Sequence, residues 1–167
     1  MVFRPDIKLP RVTDITVGML KKRNIKALIL DVDNTLSTHH GQVLTDGLTE
    51  WLQCMRDNGI AMTVLSNSNS KRLTPFAEKI GLDFISLGLK PLPFGYLRAL
   101  KRLGTKKSET AIVGDQIFTD TLGGNLVGLN TILLTPIKPE TSLRFRTKRK
   151  VEAFLIKKLN IVDTEER

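Results

Sequence analysis

The chain has 167 residues, 41% of them hydrophobic and 26% charged, a globular mixture about the size of one ordinary domain. Its single cysteine, Cys54, excludes a disulfide scaffold; with only two histidines beside it, a zinc-finger array is excluded as well, so any metal would be held mainly by oxygen. Basic residues number 26 against 17 acidic, a net charge of +9 that points to an anionic partner (nucleic acid, an acidic lipid surface or a phosphorylated substrate) without choosing among them.

The first residues, Met1-Val2-Phe3-Arg4-Pro5-Asp6, lack the apolar core of a secretory signal, and a cytosolic protein is expected. Residues 1–25 read as irregular around Pro5 and Pro10, with a short helix near Val17 to Lys22. Ala27 to Val32 is an apolar run suited to a strand buried on both faces, as are Ile60 to Leu65, Ala111 to Gly114 and Thr131 to Leu134, with a weaker run at Phe84 to Leu87. Helical patterns lie between them. Leu48, Trp51, Leu52 and Met55 form a stripe stopped by Gly59; Ser70 caps a helix running to Ile80 before Gly81; Phe94, Leu97, Leu100 and Leu103 form a stripe closed by Gly104; a shorter helix spans about Thr119 to Val127. Cys54 and Trp51 are both expected in the core. The alternation predicts a three-layer α/β/α, Rossmann-like fold around a mainly parallel five-stranded sheet. It occupies residues 1–137, with a basic tail over 138–167. The uncharged run Thr121 to Ile137 is broken by glycines and Pro136, and no membrane-spanning helix fits.

Ligands of such sheets bind beyond the carboxyl ends of the strands. There the sequence places Asp31, Asp33 and Thr35 after the first strand, Ser66 and Asn67 after the second, Lys90 before Pro91 after the third, and Asp115 and Asp120 after the fourth. Carboxylates gathered in one place repel one another, and Mg²⁺, which prefers carboxylate, carbonyl and water oxygens, removes the conflict. A hydroxyl and an ammonium nearby are donors for phosphate oxygens. The set is therefore suited to a phosphoryl group and a hard cation.

Asp31-Val32-Asp33-Asn34-Thr35, the strand-end Ser66, Lys90-Pro91 and Gly114-Asp115 with Asp120, in this order, resemble the four motifs of the haloacid dehalogenase superfamily. Ser66-Asn67-Ser68-Asn69 and Gly123-Gly124-Asn125 bring the likeness closer to its class IIIA phosphatases of the YqeG type, related to phosphatidylglycerophosphate phosphatases, over about residues 12–137. The resemblance implies that Asp31 is the nucleophile and Asp33 the acid and base. It implies that Asp31, the Asp33 carbonyl and Asp115 hold Mg²⁺, and that Ser66 and Lys90 grip the phosphate. Asp120 would orient Lys90 or a metal-bound water, or complement a helix N-terminus. Thr35 is expected to brace its loop. Asn67 is open between substrate contact and turn chemistry, and His39 and His40 between substrate contact and plain loop exposure.

The short spacings from Asp33 to Ser66 and from Ser66 to Lys90 leave no room for a cap domain, so an open site suited to a bulky or surface-bound substrate is expected. In the tail, Arg144, Arg146, Lys148, Arg149, Lys150, Lys157 and Lys158 face the single acid Glu152, and Leu143, Val151, Phe154, Leu155 and Leu159 form a partial apolar stripe. Residues 141–159 can lie on an anionic membrane or pack on the sheet with a solvated basic face. The favoured substrate is the lipid phosphatidylglycerophosphate. The alternatives are a soluble phosphosugar or nucleotide end, and, in another class, a basic RNA- or ribosome-binding protein.

Overall fold

The computed structural model describes residues 1–38, 43–139 and 143–164; His39, His40, Thr141 and the side chain of Arg144 lie outside the described residues. The strands are β1 (Ile7–Leu9), β2 (Ala27–Leu30), β3 (Ala61–Leu65), β4 (Phe84–Ile85), β5 (Thr110–Gly114) and β6 (Asn130–Leu134). The helices are α1 (Val17–Lys22), α2 (Leu48–Asp57), α3 (Ser70–Ile80), α4 (Pro93–Leu103), α5 (Leu122–Val127) and α6 (Leu143–Lys158). The sheet has six strands in the order β1-β6-β5-β2-β3-β4, and every pairing is parallel.

Strands buried on both faces need apolar residues at every position, and β2 meets that need. Leu28 and Leu30 face one core with Leu52, Met55, Leu73 and Phe76, while Ile29 faces the other with Tyr96, Ala99, Leu100 and Val127. The chain passes from β2 to β3 on one side and returns through β5 on the other, so the strand order reverses between β2 and β5. Leu30 pairs with both Val64 and Val113, so Asp31, Ser66 and Asp115 leave the sheet at nearly one height at that reversal. Among the described residues no inserted domain stands over these strand ends.

The sixth strand corrects the expected five. β1 lies in the segment read as irregular; three residues between Pro5 and Pro10 are too few for a periodic signal. Contacts remote in sequence fix it instead: the Asp6 carboxylate accepts from the amide (2.8 Å) and hydroxyl (3.0 Å) of Thr131. The stripe of α4 is corrected as well. Phe94 and Leu97 are exposed, and Gly95, Tyr96, Ala99 and Leu100 face inward. A Cβ on Gly95 would come within 2.4 Å of the Gly88 carbonyl, so α4 docks along its small residues and its bulkier ones turn out. Cys54 is exposed rather than in the core, because α2 buries Leu48, Trp51, Leu52 and Met55 on its other side. The cap of α3 is Asn69, whose side chain accepts from the Arg72 amide; Ser70 is the first helical residue.

Candidate active site

Asp31 is the first residue past β2, its amide held by the Val113 carbonyl at 2.9 Å. Lys90 reaches it from the β4–α4 loop. The Lys90 ammonium donates to Asp31 Oδ1 at 2.6 Å and to Asp120 Oδ1 at 2.7 Å, with all three side chains buried. Asn67 does something the sequence did not reveal. Its Oδ1 accepts from the Lys90 amide at 2.7 Å and its Nδ2 donates to the Lys90 carbonyl at 3.1 Å, so it clamps the lysine's backbone from both sides.

Asp120 arrives on a π-helical turn over Ile117–Thr121, and its Oδ2 accepts from the Gln116 amide at 3.2 Å. It lies so close to the end of β5 that a Cβ on Gly114 would meet its carboxyl group at 2.3 Å, which explains the glycine before Asp115. Tyr96, inside the second core, anchors the same turn through its hydroxyl, which donates to the Thr119 carbonyl at 2.6 Å. Oxygens of Asp31, Asp115 and Asp120 all lie within 4.8 Å of one another, and all three residues are buried.

Burial pushes the Asp31 carboxyl up to about 6, against the opposing pull of Lys90. Burial also holds Asp115 well above the usual carboxylate range, with Arg149 opposing. Lys90 is the converse case: burial alone would lower it, yet Asp120 and Asp31 together hold it above its ordinary value. Three carboxylates thus share a dry site with two cations. Asp115 Oδ2 pairs with Arg149, whereas Asp115 Oδ1 is buried with no hydrogen-bond partner. A buried carboxylate oxygen without a hydrogen-bond partner, on a residue clustered with two other carboxylates, suits a hard divalent cation, and the residues fit such an ion.

The remaining expected residues cluster nearby. Asp33 pairs with Arg72 from the first turn of α3, and Arg72 also contacts the Ser68 hydroxyl. Ser66 is buried, and its Oγ accepts from the Ser68 amide at 3.1 Å. Thr35 closes its turn through its amide, to the Val32 carbonyl at 3.2 Å; its buried hydroxyl has no partner among the described residues.

The helix α6 contributes side chains to the site. The Arg149 guanidinium pairs with Asp115, donates to its carbonyl at 2.8 Å, and meets Glu152 at 2.9 Å. Glu152 is 3% exposed and accepts from the Phe118 amide at 3.2 Å. Lys148 contacts the Gln116 side chain. The helix therefore docks on the loop that carries Asp115 with its charged residues, while Leu143, Val151 and Phe154 face solvent. One signal was present in the sequence: a lone acid in a basic helix is a candidate buried partner. Between α6 and the end of β6 lies a crevice of about 610 Å³ bordered by Asp115. Its lining includes the apolar Leu133, Leu134 and Ile156 and the cationic Lys138, Arg146 and Lys150.

Residues 39–128 match the haloacid dehalogenase-like hydrolase family. The chain belongs to this family. Like other haloacid dehalogenase-like phosphatases, it is a phosphoric monoester hydrolase acting on a phosphorylated substrate. It is 37% identical to "Probable phosphatase YqeG" of Bacillus subtilis, over 94% of this chain and 91% of that protein. It is also 27% identical to "Phosphatidylglycerophosphate phosphatase 1, chloroplastic/mitochondrial" of Arabidopsis thaliana, over 92% of this chain but 47% of the plant protein. A haloacid dehalogenase family hydrolase of Deinococcus radiodurans, solved with bound phosphate and sodium, superposes with a TM-score of 0.61 at 15% identity, covering 85% of this chain and 100% of that one, a likeness of fold. No helix among the described residues is long and apolar enough to cross a membrane.

Proposed function

We propose that this phosphatase hydrolyses the monoester of phosphatidylglycerophosphate, giving phosphatidylglycerol and phosphate, with Asp31 as nucleophile. One observation carries the chemistry: a buried ammonium, Lys90, set against Asp31 beside an orphaned Asp115 oxygen. The lipid is supported by the named substrate of the plant relative and by a crevice at Asp115 lined by both apolar and cationic side chains.

Mg²⁺ would be held by the Asp31 carboxylate, the Asp33 carbonyl and Asp115 Oδ1; bound there, it supplies positive charge against the phosphoryl oxygens. The protein's own residues do the rest. Asp31 attacks phosphorus, and an O–P bond forms as the bond to the lipid alkoxide breaks. Asp33 gives that alkoxide its proton. Asp33 then takes a proton from the water that attacks the aspartyl-phosphate, which frees phosphate and restores Asp31. Lys90 and Ser66 neutralise and orient the phosphoryl oxygens, and Asn67 acts through Lys90, whose backbone it holds. Proton transfer contributes only ~10² to 10⁴ of an acceleration that reaches ~10²¹ for phosphate monoesters, so charge stabilisation and the covalent relay carry most of it.

The test is phosphate release from detergent-dispersed phosphatidylglycerophosphate compared with soluble phosphosugars and nucleotides, with Mg²⁺ or with EDTA. The lipid should be the preferred substrate, EDTA should stop turnover, and Asp31→Asn should lower kcat at least ~10³-fold. Faster release from a soluble monoester overturns the lipid assignment; near-normal turnover by Asp31→Asn overturns the nucleophile.

A further inference from the structure

Four large apolar side chains stand in solvent on the segment around Lys90: Leu87 is 58% exposed, Leu89 56%, Leu92 51% and Phe94 62%. A single exposed leucine is ordinary, whereas four within one short segment beside an active site form a patch. Two of them carry a further cost. Leu87 has φ 47° and Leu89 φ 53°, in the left-handed region that bulky residues avoid and Gly or Asn adopt readily. Core packing does not offset that cost, because neither side chain is buried. The loop is also stitched to the phosphate-binding turn: the Leu87 amide donates to the Ser68 carbonyl and the Gly88 amide to the Ser66 carbonyl, both at 2.9 Å. A fixed, strained backbone thus presents leucines outward at the mouth of the site.

The surrounding charge indicates what covers them. Lys71, exposed at the start of α3, makes no ion pair among the described residues. Arg98 donates to the Ser86 carbonyl at 3.1 Å and Arg102 to the Phe84 carbonyl at 2.6 Å, and neither meets an acid among the described residues. Apolar tips on an edge of the molecule that also carries cations without acidic partners among the described residues match the interface of an anionic bilayer, where leucine and phenylalanine enter the acyl boundary and cations meet head groups. A second copy of the chain would bring the same cations against themselves.

We infer that the 87–94 loop is a membrane-docking surface that seats the strand-end face on an anionic bilayer and presents bilayer phosphomonoesters to Lys90. The presentation of substrate rests on the lipid reading above; the docking does not require turnover. The experiment sediments the full chain with phosphatidylcholine vesicles, plain or containing roughly one-third phosphatidylglycerol. The wild type should bind the anionic vesicles and not the plain ones. Leu87→Asn with Leu89→Asn suits the left-handed backbone, so its Tm should rise while vesicle binding falls at least ~10-fold. Phe94→Ser should also weaken binding. Val151→Ser with Phe154→Ser, on the exposed side of α6, should leave binding within about twofold, and every variant should keep its p-nitrophenyl phosphate turnover. The docking surface is overturned if the wild type ignores anionic vesicles, if the asparagine pair still binds or lowers Tm, or if the α6 pair abolishes binding. Vesicle binding together with intact phosphatidylglycerophosphate would overturn the substrate and keep the surface.

Discussion

At the scale of single residues, the site is a problem of desolvated charge. Asp31 is buried, and burial is the largest influence on its carboxyl, which is held at about 6 against an ordinary 3.8. A carboxyl whose value is raised on folding binds its proton more tightly in the folded chain than in the unfolded one. Ionising it therefore costs stability as pH climbs from about 4 to about 6, and the full cost persists above that window. Asp31→Asn does not titrate. In metal-free buffer the stability of that variant relative to wild type should rise across the window and then level off, as read by urea unfolding at several pH values. A pH-independent difference would mean that Asp31 is solvated. A cation held between Asp31 and Asp115 would offset what burial imposes on both.

At the scale of elements, α6 decides how Asp115 is held. Arg149 stands between Asp115 and Glu152, both of them buried. Removing one partner of a buried pair leaves the other charges without compensation. Arg149→Ala should therefore destabilise the fold by about 3 kcal/mol, measured by urea unfolding, far more than loss of the exposed Lys157. A loss no larger than that of Lys157→Ala would show that α6 does not dock through this cluster. Periodicity in the sequence left α6 open between membrane and sheet, because its charges read as a solvated face. Which charge is buried depends on the loop at Asp115 to Phe118, more than thirty positions away in the chain.

At the scale of the whole molecule, β1 meets the segment that follows α6. The Thr164 amide donates to the Lys8 carbonyl at 2.7 Å, the Lys8 amide donates to the Thr164 hydroxyl at 3.2 Å, and Lys8 pairs with Asp163. The segment after α6 thereby covers the outer edge of β1, which would otherwise offer unpaired backbone groups. Within the segment read from the sequence as a tail, Arg149 is tied to Asp115, and Asp163 and Thr164 are tied to β1. Calorimetry should therefore show one unfolding transition, with equal calorimetric and van't Hoff enthalpies and a coincident change in Trp51 fluorescence. A separate low-temperature transition would mark an independent tail.

The sequence alone determined the alternation of buried strands with helices and the set of groups at the strand ends. Both are local: a strand buried on both faces must be apolar throughout, and a residue that follows such a run must lie at its end. Tertiary structure alone decided the strand at Ile7–Leu9, the inward face of α4, the clamp of Asn67 on Lys90, and the burial of Glu152 beneath Arg149. Each of these is fixed by a partner far along the chain or by the close approach of two backbones, and neither leaves a periodic trace in the residues themselves.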